Sequence, residues 1–177
     1  MRKLIVTEFV SLDGGMEEPG LWSLPYWNAE IAQFKGAEFS ACDAQLLGRV
    51  TYEGFAKAWP KSTDEGAEQF NSMPKYVVTR TLKTLEWNNS HPIRGDITAA
   101  VKDLKGQPGK DIVVSGSGML VDFLLSAGLV DELHLLVYPL LLGKGKRIFT
   151  NSAQSALRLV SSRTFAGGVL ALIYAPA

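Results

Sequence analysis

The run Asp111-Ile112-Val113-Val114-Ser115 passes through Gly116-Ser117-Gly118 straight into Met119-Leu120-Val121-Asp122-Phe123-Leu124-Leu125. A β-branched run, a glycine turn and an apolar-striped helix in that order predict a strand-to-helix unit. The strand end, the turn and the helix N-terminus expose several backbone N–H groups, and the helix dipole adds partial positive charge. A phosphate fits such a turn. A tight βα connection with no ligand uses the same glycines, so this stretch alone leaves both readings open.

The rest of the chain repeats the alternation. Residues 3–10 read as a buried strand, broken by Ser11-Leu12-Asp13-Gly14-Gly15 and a loop over 14–24. A helix is predicted from Pro25, with Ile31, Phe34 and Ala37 at helical spacing. A short strand over 44–47 ends at Gly48-Arg49, and Thr51 suits the cap of a helix from Tyr52 to about Ala58. Pro60 to Gly66 reads as a polar loop, 75–79 as a strand, and Leu85-Glu86-Trp87 as a short strand before a turn at Asn88-Asn89-Ser90. A helix is predicted from Ile97 to Leu104, stopped by Gly106-Gln107-Pro108-Gly109. After the helix of the opening stretch, ended by Gly128, residues 130–138 form a strand stopped by Pro139. A loop with a basic tip, Lys144, Lys146 and Arg147, follows. Alternating runs over 156–165 and 169–174 around Gly167-Gly168 signal a β-hairpin. This order predicts an α/β fold over residues 1–177 as a single domain. Its sheet is mixed and mostly parallel, with helices on both faces and a C-terminal antiparallel hairpin.

Eighteen basic and eighteen acidic residues cancel, which argues against a dedicated nucleic-acid or membrane-surface binder. Cys42 is the only cysteine, so no internal disulfide forms, and a reducing, cytoplasmic setting fits. Cys42 reads as a small core residue. The apolar run after Met1-Arg2-Lys3 is too short for a leader or a membrane span. Two histidines, His91 and His134, offer no obvious metal site.

Ligands of an open α/β sheet sit beyond the carboxyl ends of its strands. Three strands here end in Gly48-Arg49-Val50-Thr51, Thr79-Arg80-Thr81 and Gly116-Ser117-Gly118. Were these strands parallel neighbours, two arginines, several hydroxyls and a glycine turn would share one edge. That set suits a ligand with more than one phosphate. Taken singly, Arg49 and Arg80 also read as solvated surface residues, Thr51 as a plain helix cap and Thr79 as a strand residue. No third glycine completes a dinucleotide fingerprint, and no Gly-Lys-Ser/Thr completes a P-loop.

In this order, Gly48-Arg49-Val50-Thr51-Tyr52, Thr79-Arg80-Thr81, the 115–125 turn and helix, and Val130-Asp131-Glu132-Leu133 through Gly143-Lys144-Gly145 resemble the dihydrofolate-reductase-like superfamily. Within it, the chain resembles the reductase domain of the bifunctional riboflavin-biosynthesis deaminase/reductase, in its stand-alone bacterial form. Ser11-Leu12-Asp13-Gly14 and Leu85-Glu86-Trp87-Asn88-Asn89 carry the same likeness. The resemblance implies a three-layer fold, a homodimer, and NADPH as cofactor. It implies that Gly48, Arg49 and Thr51 meet phosphates and that Thr79, Arg80 and Thr81 surround the adenosine ribose. Gly116, Ser117, Gly118, Met119 and Leu120 would cradle the pyrophosphate, and the backbone near Val10 would orient the nicotinamide. No deaminase zinc motif is present.

The implied activity is hydride transfer to a small pterin-like, riboflavin-precursor-like or other carbonyl or imine substrate, of the 5-amino-6-(5-phosphoribosylamino)uracil reductase type. A cofactor-binding module without turnover is the alternative. Asp13 and Glu30 are the candidate proton donors. Asp13 also suits a plain turn, and Glu30 a solvated helix position. Dihydrofolate reductases carry a carboxylate on the first helix after Trp-x-Leu-Pro, here Trp22-Ser23-Leu24-Pro25. Counting from Pro25 puts Trp27 at that place, while counting back from Phe34-Lys35 puts Glu30 there. Trp22, Trp27 and Tyr138 are candidates to line a pocket for a flat heterocycle, or are ordinary core and rim aromatics. The basic tip suits a phosphorylated substrate or a solvated loop.

Overall fold

The computed structural model describes residues 1–64 and 66–177. Its strands are β1 (Leu4–Ser11), β2 (Cys42–Gly48), β3 (Lys75–Val78), β4 (Ser90–Ile93), β5 (Asp111–Ser115), β6 (Glu132–Tyr138), β7 (Leu157–Thr164) and β8 (Leu170–Pro176). Its helices are α1 (Ala29–Ser40), α2 (Arg49–Ala58), α3 (Ala67–Ser72), α4 (Ile97–Gly106) and α5 (Gly118–Ser126). The strands form one sheet in the order β4-β3-β2-β5-β1-β6-β8-β7. From β4 to β6 neighbours run parallel, and β8 is antiparallel to both β6 and β7. The mixed, mostly parallel sheet and closing hairpin agree with the sequence reading.

Both faces of the sheet are covered. On one, Leu4, Val6, Ala44, Leu46, Ile112 and Val114 pack under Val101 and Leu104 of α4 and Leu120, Val121 and Leu124 of α5. On the other, Leu136 and Tyr138 pack with Ile31 of α1, and Leu47 and Val77 pack with Tyr52 of α2 and Phe70 of α3. β1 lies between β5 and β6 and is buried on both sides, which explains why its apolar residues do not alternate with exposed polar ones.

Several local readings shift. The first long helix starts at Ala29, because the Asn28 side chain accepts the Glu30 and Ile31 amides at 3.0 Å each. Pro25 instead sits in a separate tight helical turn, Leu24–Tyr26. Of the predicted apolar positions of α1, Ile31 is buried, Phe34 packs half-buried against the core and Ala37 is exposed, while Lys35 and Glu38 are buried with Ile31. α2 begins at Arg49 with Gly48 as its cap, so Thr51 lies inside the helix. The stretch read as a polar loop opens with a tight turn, Trp59–Lys61, and Glu65 in it lies outside the described residues. α3 follows it and has no counterpart in the sequence reading.

Leu85-Glu86-Trp87 is not a strand. The Trp87 ring is buried, its amide donates to the Tyr52 hydroxyl at 3.0 Å, and its indole N–H donates to Asn71 at 2.8 Å. The strand comes later, at Ser90–Ile93, after Asn89 turns the chain with φ 55. β4 is an edge strand, where the missing N–H of Pro92 is tolerated. No helix among the described residues is long and apolar enough to cross a membrane.

Candidate active site

The carboxyl ends of β1, β2, β3 and β5 open into one cleft of about 2340 Å³. Parallel pairing of β2 with both β3 and β5 brings the three predicted strand ends side by side. Gly48, Arg49, Thr51, Thr79, Arg80, Thr81, Gly116, Ser117, Gly118, Met119 and Leu120 all line this cleft, as does Trp27. Arg49 is held by Glu53 one helical turn on, at 2.7 Å, and both remain partly exposed. Arg94, absent from the sequence reading, joins the rim and donates to the Leu82 carbonyl at 2.6 Å.

The glycine turn is tightly built. Gly116 and Ser117 both adopt left-handed backbone, with φ 57 and 61. A Cβ on Gly116 would stand 3.0 Å from Thr51 Oγ1. The Ser117 amide donates to Thr51 Oγ1 at 2.9 Å, and the Gly48 amide donates to Ser117 Oγ at 2.9 Å. The N-termini of α2 and α5 are thereby locked together. Thr51 and Ser117 spend their side chains on that lock. The first-turn amides of α5, at Gly118 and Met119, have no intrahelical acceptor and face the cleft, as an anion requires. Thr79 likewise shapes its own turn, accepting the Thr81 and Leu82 amides at 3.2 and 3.1 Å.

Other candidates lie elsewhere. Asp13 accepts hydrogen bonds from the Ser11 hydroxyl at 2.6 Å and the Gly143 and Leu142 amides at 2.9 and 3.1 Å. Those donors hold its carboxyl well below the usual carboxylate range. It is a clamp between the end of β1 and the loop after β6. Glu30 sits one residue off the inward stripe of α1, so the helical rotation turns it to the flank. There it accepts from the Ala166 amide at 3.0 Å and meets Arg163 at 3.3 Å, and these bonds lower its pKa. Neither acid lines the cleft.

Val10 is buried in the sheet. Tyr138 is fully buried against Phe9, Trp22 and Tyr26, and burial pushes its hydroxyl up to about 12. Trp22 covers Tyr138 edge-on and donates to the Glu17 carbonyl at 2.8 Å. Of the three predicted aromatics only Trp27 reaches the cleft. At the basic tip, Lys146 lies 3.9 Å from Glu17 and Arg147 lies 3.5 Å from Asp13, and both line the cleft.

Two buried titratable groups in the cleft wall have no counterpart in the sequence reading: Glu8 of β1 and Lys35 of α1. Glu8 is buried, and its Oε1 has no partner among the described residues. Burial raises its pKa well above the ordinary value, against the pull of Lys35. The Lys35 ammonium donates to Thr7 Oγ1 at 2.7 Å and pairs with Glu38. Glu38 in turn meets His134 Nδ1 at 2.6 Å, His134 Nε2 meets Glu132 at 3.0 Å, and Glu132 meets Lys3 at 2.6 Å. Charges therefore alternate in an unbroken line from the surface to the cleft. Burial favours the neutral form of Glu38, but Lys35 and His134 more than offset it and hold the carboxyl at about 2. Burial likewise lowers His134, and Glu38 and Glu132 outweigh it, so its pKa is raised.

The model of the RibD C-terminal domain matches residues 2–171, almost the entire chain. The chain belongs to the RibD C-terminal domain family. A Bacillus subtilis relative, the uncharacterized protein YyaP, is 32% identical over 180 residues, covering 98% of this chain and 94% of that one. A putative riboflavin biosynthesis protein from Shewanella sp. PV-4 superposes with a TM-score of 0.77 at 18% identity, covering 99% of both chains. Dihydrofolate reductase from Enterococcus faecalis, solved with NADP(H), superposes at 0.66 with 16% identity, covering 98% of this chain and 96% of that one. The dihydrofolate-reductase-like fold of this RibD-type domain is thus shared with two proteins far apart in sequence. It is a reductase-family domain without a deaminase half among its residues.

Proposed function

We propose that the chain is an NADPH-dependent reductase that transfers hydride to a small heterocyclic, carbonyl or imine substrate. One observation carries the reading. The N-termini of α2 and α5 and the turn after β3 converge on one cleft whose rim holds Arg49, Arg80 and Arg94. Free first-turn amides and arginine forks are complementary to a pyrophosphate and a ribose phosphate. Close packing of Gly116 on Thr51, which leaves no room for a Cβ, fixes the turn that presents these amides. Family membership supports the same reading.

NADPH, when bound, supplies the hydride. The protein's own residues do the rest. Gly118 and Met119 present amides, Arg80 and Arg94 present charge to the adenosine end, and Thr51 and Ser117 fix the two helix ends. Thr7 and Phe9, at the end of β1, wall the side where the reacting ring would lie. A homodimer that covers the exposed β7, in a reducing compartment, completes the proposal.

A cofactor-binding module without turnover is the second reading, favoured by the absence of Asp13 and Glu30 from the cleft. Two measurements separate them. NADP⁺ must raise the melting temperature under either reading. Oxidation of NADPH with at least one member of a panel of flat carbonyl and imine compounds supports the reductase; binding without oxidation across the panel supports the module.

A further inference from the structure

Lys35 stands in the middle of an aromatic band. Its ammonium lies 5.4 Å from the Phe9 ring centre and 5.1 Å from that of Phe39. Trp27 extends the band from Phe9, with ring centres 6.3 Å apart. Phe70 extends it from Phe39 at 5.2 Å, and Trp59 stacks on Phe70 at 4.2 Å. All of these rings line the cleft. Gly36 on α1 and Gly54 on α2 line it too, and a Cβ at either would meet nothing within 4 Å, so neither helix narrows the cleft there. A slot walled by rings takes a flat ring.

Lys35 is the buried cation of the slot. An ammonium has three donors and no acceptor. Two of the Lys35 donors go to Thr7 and Glu38, which leaves one. Lys35 is buried and pinned through Glu38 and His134, so its head is held in place. Glu17, Glu18 and Asp64 belong to flanking loops of the cleft, and Glu38 is closed off by its two partners. Burial disfavours the charged form of Glu8, the other buried titratable group of the cleft wall.

We propose that Lys35 is the substrate-anchoring residue of this cleft, and that the substrate is a flat ring presenting a carbonyl or enolate oxygen to it. The proposal deepens the reductase reading and rests on it. A ring that presents amino or amidinium hydrogens at that edge meets a like-polarity donor and is rejected.

Calorimetric titration of the intact chain tests this, with and without NADP⁺. The probes are the hydroxynaphthoquinone lawsone, whose edge is oxygen, and the diaminopyrimidine trimethoprim, whose edge is N–H. The wild type is expected to bind lawsone at least about tenfold more tightly than trimethoprim. The double variant Lys35→Met/Glu38→Gln removes both charges together and so avoids an orphaned carboxylate. It is expected to lose about tenfold in lawsone affinity and to narrow the gap to trimethoprim. A wild-type preference for trimethoprim, or no lawsone binding, overturns the proposal. So does unchanged lawsone affinity in a folded double variant. The wild-type comparison decides alone if that variant does not fold. Absence of NADP⁺ binding in the same titrations sinks the reductase reading instead, whatever the ranking of the two rings.

Discussion

The hydroxyl of Ser117 accepts the amide hydrogen of Gly48 across 2.9 Å, joining two helix starts that lie 69 residues apart in sequence. The two turns that flank the cleft are therefore one mechanical unit. Ser117→Ala leaves the part-buried Gly48 amide without its acceptor, at a cost of about 1–3 kcal/mol. The expected result is a lower melting temperature together with about tenfold weaker NADPH binding by calorimetry. Gly116→Ala acts on the same unit from the other side, because a methyl at φ 57 presses on Thr51. An unchanged affinity in both variants would show that the lock is irrelevant to the cofactor.

The line from Lys35 through Glu38 to His134 predicts a window of maximum stability. A raised His134 pKa means that its contribution is complete below the unfolded value of 6.5 and is lost as the pH climbs through the folded value. A Glu38 carboxyl at about 2 contributes above its unfolded value of 4.5 and is lost as the pH falls toward 2. The melting temperature is expected to peak between those unfolded values and to decline on both sides. Each tenfold difference in proton affinity is worth about 1.4 kcal/mol. His134→Gln flattens the alkaline limb and weakens the acid limb, which Lys35 then sustains without the imidazole. Differential scanning calorimetry across the range, with NMR titration of the imidazole, checks both limbs.

Glu8 imposes the opposite dependence. Its folded pKa is raised, so holding it in place costs stability once the pH passes its ordinary value of 4.5. Glu8→Gln keeps the shape while removing the ionisation. The variant is expected to melt higher than wild type at pH values well above 4.5, and the gap is expected to close as the pH falls. A variant that melts lower at every pH would show that the ionised carboxylate is needed there.

Asp13 and Glu30 each staple two segments together. Asp13→Asn weakens the grip on Leu142 and Gly143, and Glu30→Gln loosens α1 from the hairpin turn at Ala166. Both are expected to lower the melting temperature by a few degrees. Single-turnover hydride transfer to any accepted substrate is expected to stay at the wild-type rate. A hundredfold slower transfer, about 2.7 kcal/mol in barrier, would return the residue to the chemistry.

All eight residues of β7 are exposed, and Leu159 and Val160 are 49% and 48% accessible at a register shift in the edge strand. An apolar edge of this kind demands cover. Sedimentation of the wild type is expected to show a dimer, and Leu159→Lys/Val160→Lys to weaken it at least about tenfold. A wild type that sediments as a monomer at high concentration removes the dimer from the proposal.

What the sequence reveals here is what is local. The 111–128 unit, the hairpin around Gly167-Gly168 and the three strand ends with their glycines and hydroxyls all follow from period and turn chemistry within a dozen residues. What it hides is chemistry made by distance. His134 and Glu38 are 96 residues apart, and each alone reads as a polar interruption. Lys35 and Glu38 occupy the inward stripe of α1, yet periodicity counts only apolar residues and so selects Phe34 and Ala37. A hydroxyl near a phosphate and a hydroxyl in a structural lock are the same residue type, so Thr51 and Ser117 are placed by the sequence but not assigned. The signal for Glu8 was present, as a carboxylate inside an otherwise apolar strand run.

The central place of β1 has a consequence for the chain as it is made. Leu4 lies opposite Ile112 on one side, and Ile5 lies opposite Glu132 on the other. β1 is made before every other strand of this sheet and waits for β5 and β6 before its two flanks are satisfied. During that wait its apolar faces and unpaired amides are open to any passing strand, so nascent-chain binding factors and translation speed matter to the yield of this protein. A stop placed before β6 would leave an adhesive fragment, not a smaller working domain.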